Sequence, residues 1–93
     1  MSYQVPFTDQ ANKGEITVEE SSFNNDTSLS LPGRLITDYG LAVNTNFLQL
    51  LENFANASPP TNPVEGQLWY DTTQEIDQLK IYDGTNWVAA GGL

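Results

Sequence analysis

Short segments rich in aromatic and aliphatic residues recur in the C-terminal third of the chain. Residues 67–71, 78–82 and 86–90 each have the length and composition of a β-strand and are bounded by polar residues. Asp83–Gly84, between the last two segments, is a strong signal for a tight turn. The pattern therefore predicts a three-stranded antiparallel meander over residues 66–90.

The N-terminal region shows a second, weaker strand pattern. Polar and apolar residues alternate in 15–19 and again in 27–31, and a polar connection separates them. This predicts a short antiparallel β pair. Residues 1–14 lack periodicity and include Pro6, so we expect an extended N-terminal arm there. Residues 15–93 are expected to form a single small α+β domain.

The middle of the chain carries a helical pattern. Apolar residues recur at spacings of three and four, which predicts one amphipathic helix from about Tyr39 to about Asn56. Thr37 or Asp38 is placed to cap its first turn, and the proline-rich link 58–63 follows it. The predicted apolar stripe consists of Val43, Phe47, Leu50, Leu51 and Phe54. This stripe is long for one small sheet to cover, so we expect it to pack against other chains.

Charge and composition narrow the range of functions. The 93 residues include 12 acidic and only 3 basic side chains, a net charge of −9 that disfavours nucleic acid and anionic membranes as partners. No Cys or His is present, which excludes disulfides and the commonest zinc ligands and removes most catalytic bases and nucleophiles. We therefore expect no metal, no cofactor and no enzymatic activity. Apolar stretches fall short of the roughly 20 residues of a membrane span, so no membrane insertion is expected.

The length of the chain favours association. A domain of this size buries only about 60–65% of its unfolded surface, so its own core is marginal. Since disulfides are excluded, partner chains are the expected source of additional stability. We predict a homo-oligomer.

Paired carboxylates are the one route to catalysis left open by the composition. Asp71 and Asp83 each follow a Tyr at a predicted strand end, and a glycan hydrolase uses two such carboxylates. Asp side chains in this position more often accept hydrogen bonds from nearby backbone N–H groups of a turn. We favour the turn interpretation for both residues.

Four aromatic residues are concentrated in the predicted meander: Trp69, Tyr70, Tyr82 and Trp87. Alternation along a strand places Trp69 and Tyr70 on opposite faces, so one is expected in the core and the other at an interface. An exposed aromatic group also stacks well on sugar rings. A carbohydrate-binding module for host surface glycans is therefore the alternative to a protein-packing role.

Two parts of the sequence resemble structural proteins of bacteriophage tails. Residues 63–72 (PVEGQLWYDT) and 78–87 (QLKIYDGTNW) are similar to a β-meander module of tail-fibre and baseplate proteins. Residues 27–33 together with 38–40 and 44–55 resemble the N-terminal part of structural proteins of contractile-tailed phages. The resemblance spans roughly residues 27–90. It implies a virion protein that docks onto the tail, often as a trimer, and it supplies no catalytic residues.

Pattern and resemblance together predict an α+β virion structural protein. It would be a fibre or baseplate attachment module, assembled in the host cytoplasm and carried in the tail. Its predicted partners are other tail or baseplate proteins and further copies of itself, with a trimer favoured. The candidate interface residues are Val43, Phe47, Leu50, Leu51, Phe54, Trp69, Tyr70, Tyr82 and Trp87.

Overall fold

The predicted α+β class is confirmed in a computed structural model that describes residues 1–73 and 75–90. A short N-terminal antiparallel strand pair, one main helix and a C-terminal three-stranded antiparallel sheet follow one another along the chain. The chain forms two compact units, Met1–Asn46 and the part from Phe47 onward. Each unit is described separately below.

The first unit is built on an antiparallel strand pair. Strand β1 (Tyr3–Pro6) pairs with β2 (Glu15–Val18), and a single helical turn, α1 (Gln10–Lys13), lies between them in the chain. Alternation along β2 buries Ile16 and Val18, and Val18 is fully buried. These two β-branched residues are the buried apolar core of this unit among the described residues.

The partner of β2 differs from the prediction. The expected pairing of 15–19 with 27–31 is wrong, because β2 pairs with residues of the predicted arm instead. Val5 lies opposite Ile16, and Tyr3 lies opposite Val18. The strand in the arm has only four residues and ends in Pro6, so its sequence gives too weak a pattern to predict a strand.

A second, minimal pair follows in the first unit. Strand β3 (Phe23–Asn24) pairs with β4 (Leu31–Pro32). Immediately after β4, the N–H of Gly33 donates to the carbonyl of Ser22. A Cβ atom at Gly33 would lie 1.9 Å from the carbonyl oxygen of Glu19, so the backbones meet here only because residue 33 has no side chain.

The main helix, α2 (Tyr39–Leu51), is shorter than expected. It begins after Asp38, which has a left-handed φ of +63° and contributes its backbone carbonyl as the acceptor for the N–H of Ala42. After the helix, Asn53 and Phe54 both have a φ of +54°. Within the described residues, no helix is long and apolar enough to cross a membrane.

The second unit contains the predicted meander. Its strands are β5 (Leu68–Asp71), β6 (Gln78–Tyr82) and β7 (Trp87–Ala89), in the order β5-β6-β7 with both pairings antiparallel. Each strand lies within the segment predicted for it. The meander over residues 66–90 is therefore confirmed.

The outer edge of β5 explains why the helix ends early. The N–H of Tyr70 donates to the carbonyl of Asn53, the N–H of Asn56 to Tyr70, and the N–H of Thr72 to Asn56. The segment after the helix thus lies parallel to β5 and pairs with it. The backbone groups of this segment pair with β5 and are not available for helical hydrogen bonds, so α2 ends at Leu51. The predicted end near residue 56 is therefore wrong.

Candidate functional site

The buried side of α2 is anchored by a polar residue. Asn46 is 8% exposed, and its side-chain amide forms two hydrogen bonds with the backbone of Ser30. The N–H of Ser30 donates to Oδ1 at 3.1 Å, and Nδ2 donates to the Ser30 carbonyl at 2.8 Å. Asn46 is thus the buried residue of α2. The spacing of the apolar residues alone would place it on the solvent side of the helix.

The opposite side of α2 presents apolar side chains to solvent. Helical geometry places Phe47, Leu48 and Leu51 roughly 100–160° around the axis from Asn46. They are 62%, 63% and 79% exposed, respectively. We call these three residues the helix face. It contains no charged side chain, although the whole chain carries a net charge of −9.

The predicted apolar stripe therefore divides in the structure. Phe47, Leu50 and Leu51 are exposed, whereas Val43 and Phe54 are half-buried. Phe54 lies beyond the end of the helix, in the left-handed turn. Most of the stripe is thus exposed to solvent in the described part of the chain. Its packing against other chains stays a prediction.

Three of the four predicted aromatic residues share one face of the sheet. The register places Trp69, Tyr82 and Trp87 on the same side and Tyr70 on the other. Trp87 contacts both partners, with ring centroids 5.4 Å from Trp69 and 5.0 Å from Tyr82. Trp69 is buried while the other three are half-buried, in agreement with the prediction that one of Trp69 and Tyr70 fills the core.

Lys80 closes this aromatic face over Trp69. Its Nζ atom lies 5.0 Å from the centroid of the indole ring and 2.7 Å from Oδ2 of Asp71. The indole Nε1–H of Trp69 donates to the carbonyl of Asn56. Lys80 therefore covers the ring of Trp69 and Asn56 accepts its N–H, so this residue offers no free face for stacking.

Asp71 is buried and fully engaged. The Lys80 ammonium, followed by the hydroxyl and backbone N–H of Thr73, holds the pKa of Asp71 down at about 2. Lys80 donates to Oδ2, and both Thr73 groups donate to Oδ1. Both carboxylate oxygens are thus occupied: Oδ2 by Lys80 of β6, and Oδ1 by Thr73, which lies just after β5.

Asp83 forms the turn between β6 and β7. Its Oδ1 accepts the N–H of Asn86 at 2.7 Å and that of Thr85 at 2.8 Å, while Gly84 takes a φ of +102°. These two N–H groups, with Asn86 first, lower the pKa of Asp83. The turn interpretation is confirmed for this residue. Among the described residues, no group of three or more acidic side chains is arranged to hold a metal ion.

The second face of the sheet is apolar throughout the three strands. Cross-strand neighbours Leu68, Ile81 and Val88 share it with Tyr70 and Leu79, which also face each other. Ile81 is 39% and Val88 50% exposed, and the other three are half-buried. We call these five residues the sheet face. Like the helix face, it contains no charged residue.

Comparison with known proteins gives no match: neither a protein-family model, nor a curated protein, nor a solved structure is significantly similar to this chain.

The candidate residues chosen from the sequence include Phe47 and Leu51 of the helix face and Tyr70 of the sheet face, but not the rest of the sheet face. Leu79 and Ile81 were recognisable as one side of a strand from their alternation. Their assembly with Leu68, Tyr70 and Val88 depends on the register of three strands, which no single segment encodes.

Proposed function

We propose that this protein is a structural assembly module that acts by packing against other protein chains in the tail of a bacteriophage. The observation that carries the proposal is the exposure of Phe47, Leu48 and Leu51 together on one side of α2. Adjacent exposed apolar side chains of this size mark protein–protein contact sites on folded domains.

The energetics favour association through this surface. Burying one large apolar side chain contributes about 1.5–3 kcal/mol. Among the described residues, the apolar side chains buried within the chain are Ile16, Val18 and Trp69. Contacts from a partner would therefore add substantially to a small core, as expected for a chain of 93 residues with no disulfide.

The proposed location in a phage tail comes from the sequence resemblance. The segments 63–72 and 78–87 resemble the β-meander of tail-fibre and baseplate proteins, and they form β5, β6 and the start of β7. The proposal thus includes homo-oligomerisation, with a trimer favoured, and docking onto other tail or baseplate proteins after assembly in the host cytoplasm. Peptide mass spectrometry of virions purified from cultures that produce the protein tests this location directly.

Light scattering over a concentration series tests the association itself. We expect a mass near three times the 10.3 kDa of one chain. Phe47→Glu and Phe47→Lys should both shift the equilibrium to the monomer, since each places a charge in the helix face. The lysine variant also reduces the net negative charge, so its effect cannot be attributed to repulsion between copies.

Thr45→Glu is the matched control for these variants. Thr45 is an exposed residue of the same helix, and its side chain lies outside the helix face. This variant should retain the mass of the unmodified chain. A monomeric unmodified chain at every concentration would overturn the proposed self-association.

Glycan recognition is the alternative function, and it needs no self-association. Its stacking surface would use Tyr82 and Trp87 on one face of the sheet or Tyr70 on the other, because Trp69 is covered by Lys80. A monomer that binds bacterial surface polysaccharide saturably, and loses the binding in Trp87→Ala, would favour that function over assembly.

A further inference from the structure

The register of β6 and β7 determines which backbone groups of β7 point away from the sheet. The N–H of Asp83 donates to the carbonyl of Asn86, and the N–H of Ala90 donates to the carbonyl of Leu79. Hydrogen-bonded and non-hydrogen-bonded pairs alternate along an antiparallel ladder. Between these two bonded pairs, Val88 therefore directs its N–H and carbonyl toward β6.

Trp87 and Ala89 consequently present their N–H and carbonyl groups at the outer edge of β7. Strand β7 is the last in the order β5-β6-β7, and within residues 1–73 and 75–90 no other strand pairs with this edge. The opposite edge of the sheet differs, because Asn53 and Asn56 form backbone hydrogen bonds with β5 there. The chain thus covers one edge of this sheet and leaves the other open.

The open edge lacks most of the features by which folded domains block the addition of a strand. Lysine or proline in the edge strand and a β-bulge are common devices of this kind. Strand β7 consists of Trp87, Val88 and Ala89, and its register with β6 is continuous. Val88 is 50% exposed, and Ala89 is also exposed. The short length of β7 is the one protective feature present, so the edge can accept a short extended segment.

The charge around β7 indicates the chemistry of that segment. Oε2 of Glu65 lies 3.7 Å from the position that a Cβ atom on Gly84 would occupy. Its carboxylate therefore lies beside the turn that Asp83 forms before β7. The second unit has six acidic residues and one basic residue, Lys80, which is paired with Asp71. A segment with lysine or arginine near this turn is attracted, and an acidic segment is repelled.

A second copy of the chain fits this edge poorly. Antiparallel pairing of two β7 strands would bring the acidic turn of each copy toward the end of the other sheet where the loop before β6 lies. That loop contains Glu75 and Asp77. Like charges brought together across an interface oppose binding, so the edge favours a basic segment of a different protein.

We propose that the outer edge of β7 binds an extended basic segment of another protein as an additional strand of the sheet. Backbone hydrogen bonds to Trp87 and Ala89 hold the segment, and its apolar side chains lie beside Val88 on the sheet face. Its lysine or arginine residues lie near Asp83 and Glu65. This inference rests on the proposed packing against other protein chains and specifies the docking partner, not the self-association.

Amide hydrogen exchange of the isotope-labelled chain, measured by NMR, tests the edge with defined probes. The probes are peptides of about six residues, the usual length of a strand. Valine alternates in them with lysine, with glutamate or with serine. The lysine peptide should slow exchange of the Trp87 and Ala89 amides several-fold. The Val88 amide, which is already bonded to β6, should change little.

The glutamate peptide should give no protection, and added NaCl should weaken the effect of the lysine peptide. No protection of Trp87 and Ala89 by any of the peptides would overturn the inference, and equal protection by the lysine and glutamate peptides would overturn the basic partner. Light scattering measures self-association without any peptide. A failure of the proposed oligomer is therefore a separate result from a failure at this edge.

Variants at residue 89 test the geometry of the edge. Ala89→Pro removes the outward N–H and no hydrogen bond to β6, and proline is tolerated in edge strands. It should abolish binding of the lysine peptide while the Val88 amide stays protected. Ala89→Thr keeps the N–H and is the matched control, which should bind normally. Undiminished binding by folded Ala89→Pro would overturn the edge as the site.

Glu65→Gln tests the charge without altering β7. Glu65 is exposed, and the variant removes one carboxylate beside the turn. It should weaken binding of the lysine peptide several-fold and leave the exchange of the peptide-free chain unchanged. Unaltered affinity for the lysine peptide would contradict the placement of basic residues near this turn.

Discussion

The side-chain amide of Asn46 forms hydrogen bonds with both backbone groups of Ser30. Asn46→Ala should therefore lower the free energy of unfolding by about 1–3 kcal/mol, because it leaves a part-buried N–H and carbonyl without their partner. Urea denaturation followed by circular dichroism measures the change. Asn44→Ala is the control, since Asn44 is an exposed asparagine of the same helix. Equal stability of the two variants would show that the Asn46 contacts contribute little.

Gly33 and Gly40 should respond in opposite directions to alanine. A Cβ atom at Gly33 would meet the Glu19 carbonyl oxygen at 1.9 Å, so Gly33→Ala forces the two backbones apart and should destabilise the chain. Gly40 lies in α2, and a Cβ there meets nothing within 4 Å. Gly40→Ala should raise the free energy of unfolding by about 0.5–1 kcal/mol. Thermal unfolding of both variants beside the unmodified chain shows whether each substitution raises or lowers stability.

Acid should destabilise the protein partly through Asp71. Its pKa is about 2 in the folded chain against an ordinary value of 3.8, so the unfolded chain binds more protons between these values. The stabilisation from the ionised carboxylate is complete above the higher pKa and is lost as the pH falls through the lower one. The melting temperature should therefore decrease between about pH 5 and pH 2.

Asp71→Asn tests the origin of that decrease. The variant should melt lower than the unmodified chain at neutral pH, since it loses the ion pair with Lys80. Its melting temperature should also depend less on pH in the acid range. Asp83→Asn removes the other carboxylate with a lowered pKa and serves as the comparison. An unchanged acid slope in Asp71→Asn would mean that other carboxylates dominate.

Salt should strengthen self-association. Copies with a net charge of −9 repel one another, and raising NaCl from about 0.1 M to about 1 M shortens the Debye length from about 10 Å to about 3 Å. The oligomer fraction measured by analytical ultracentrifugation should rise accordingly. Phe47→Lys should stay monomeric at both concentrations. Dissociation of the unmodified chain at high salt would instead indicate an interface held by ion pairs.

The elements with local signals were predictable from the sequence. Strands β5, β6 and β7 and the turn at Asp83 are specified by short segments, and each strand pairs with the one next to it in the sequence. The α+β class followed from these strands and from one helical pattern. The sequence grouped Trp69, Tyr70, Tyr82 and Trp87, and the structure brings all of these except Tyr70 together on one face.

The remaining features depend on contacts between distant residues. Strand β1 is short and ends in Pro6, and only its pairing with Ile16 and Val18 defines it. The end of α2 is set by hydrogen bonds with Tyr70, many residues away in the chain, and not by Gly or Pro. The buried position of Asn46 arises from its fit to Ser30, which an analysis of apolar spacing alone does not detect.

The pairing of the segment after α2 with the outer edge of β5 has a mechanical consequence. The hydrogen bonds that join Asn53, Tyr70, Asn56 and Thr72 link two parallel stretches of backbone. Tension applied between the end of the helix and the far end of β5 acts along both stretches, so these bonds share the load in shear and must break together. The junction is thus built to transmit a pull along the chain without unzipping, a useful property in any fibre that bears force.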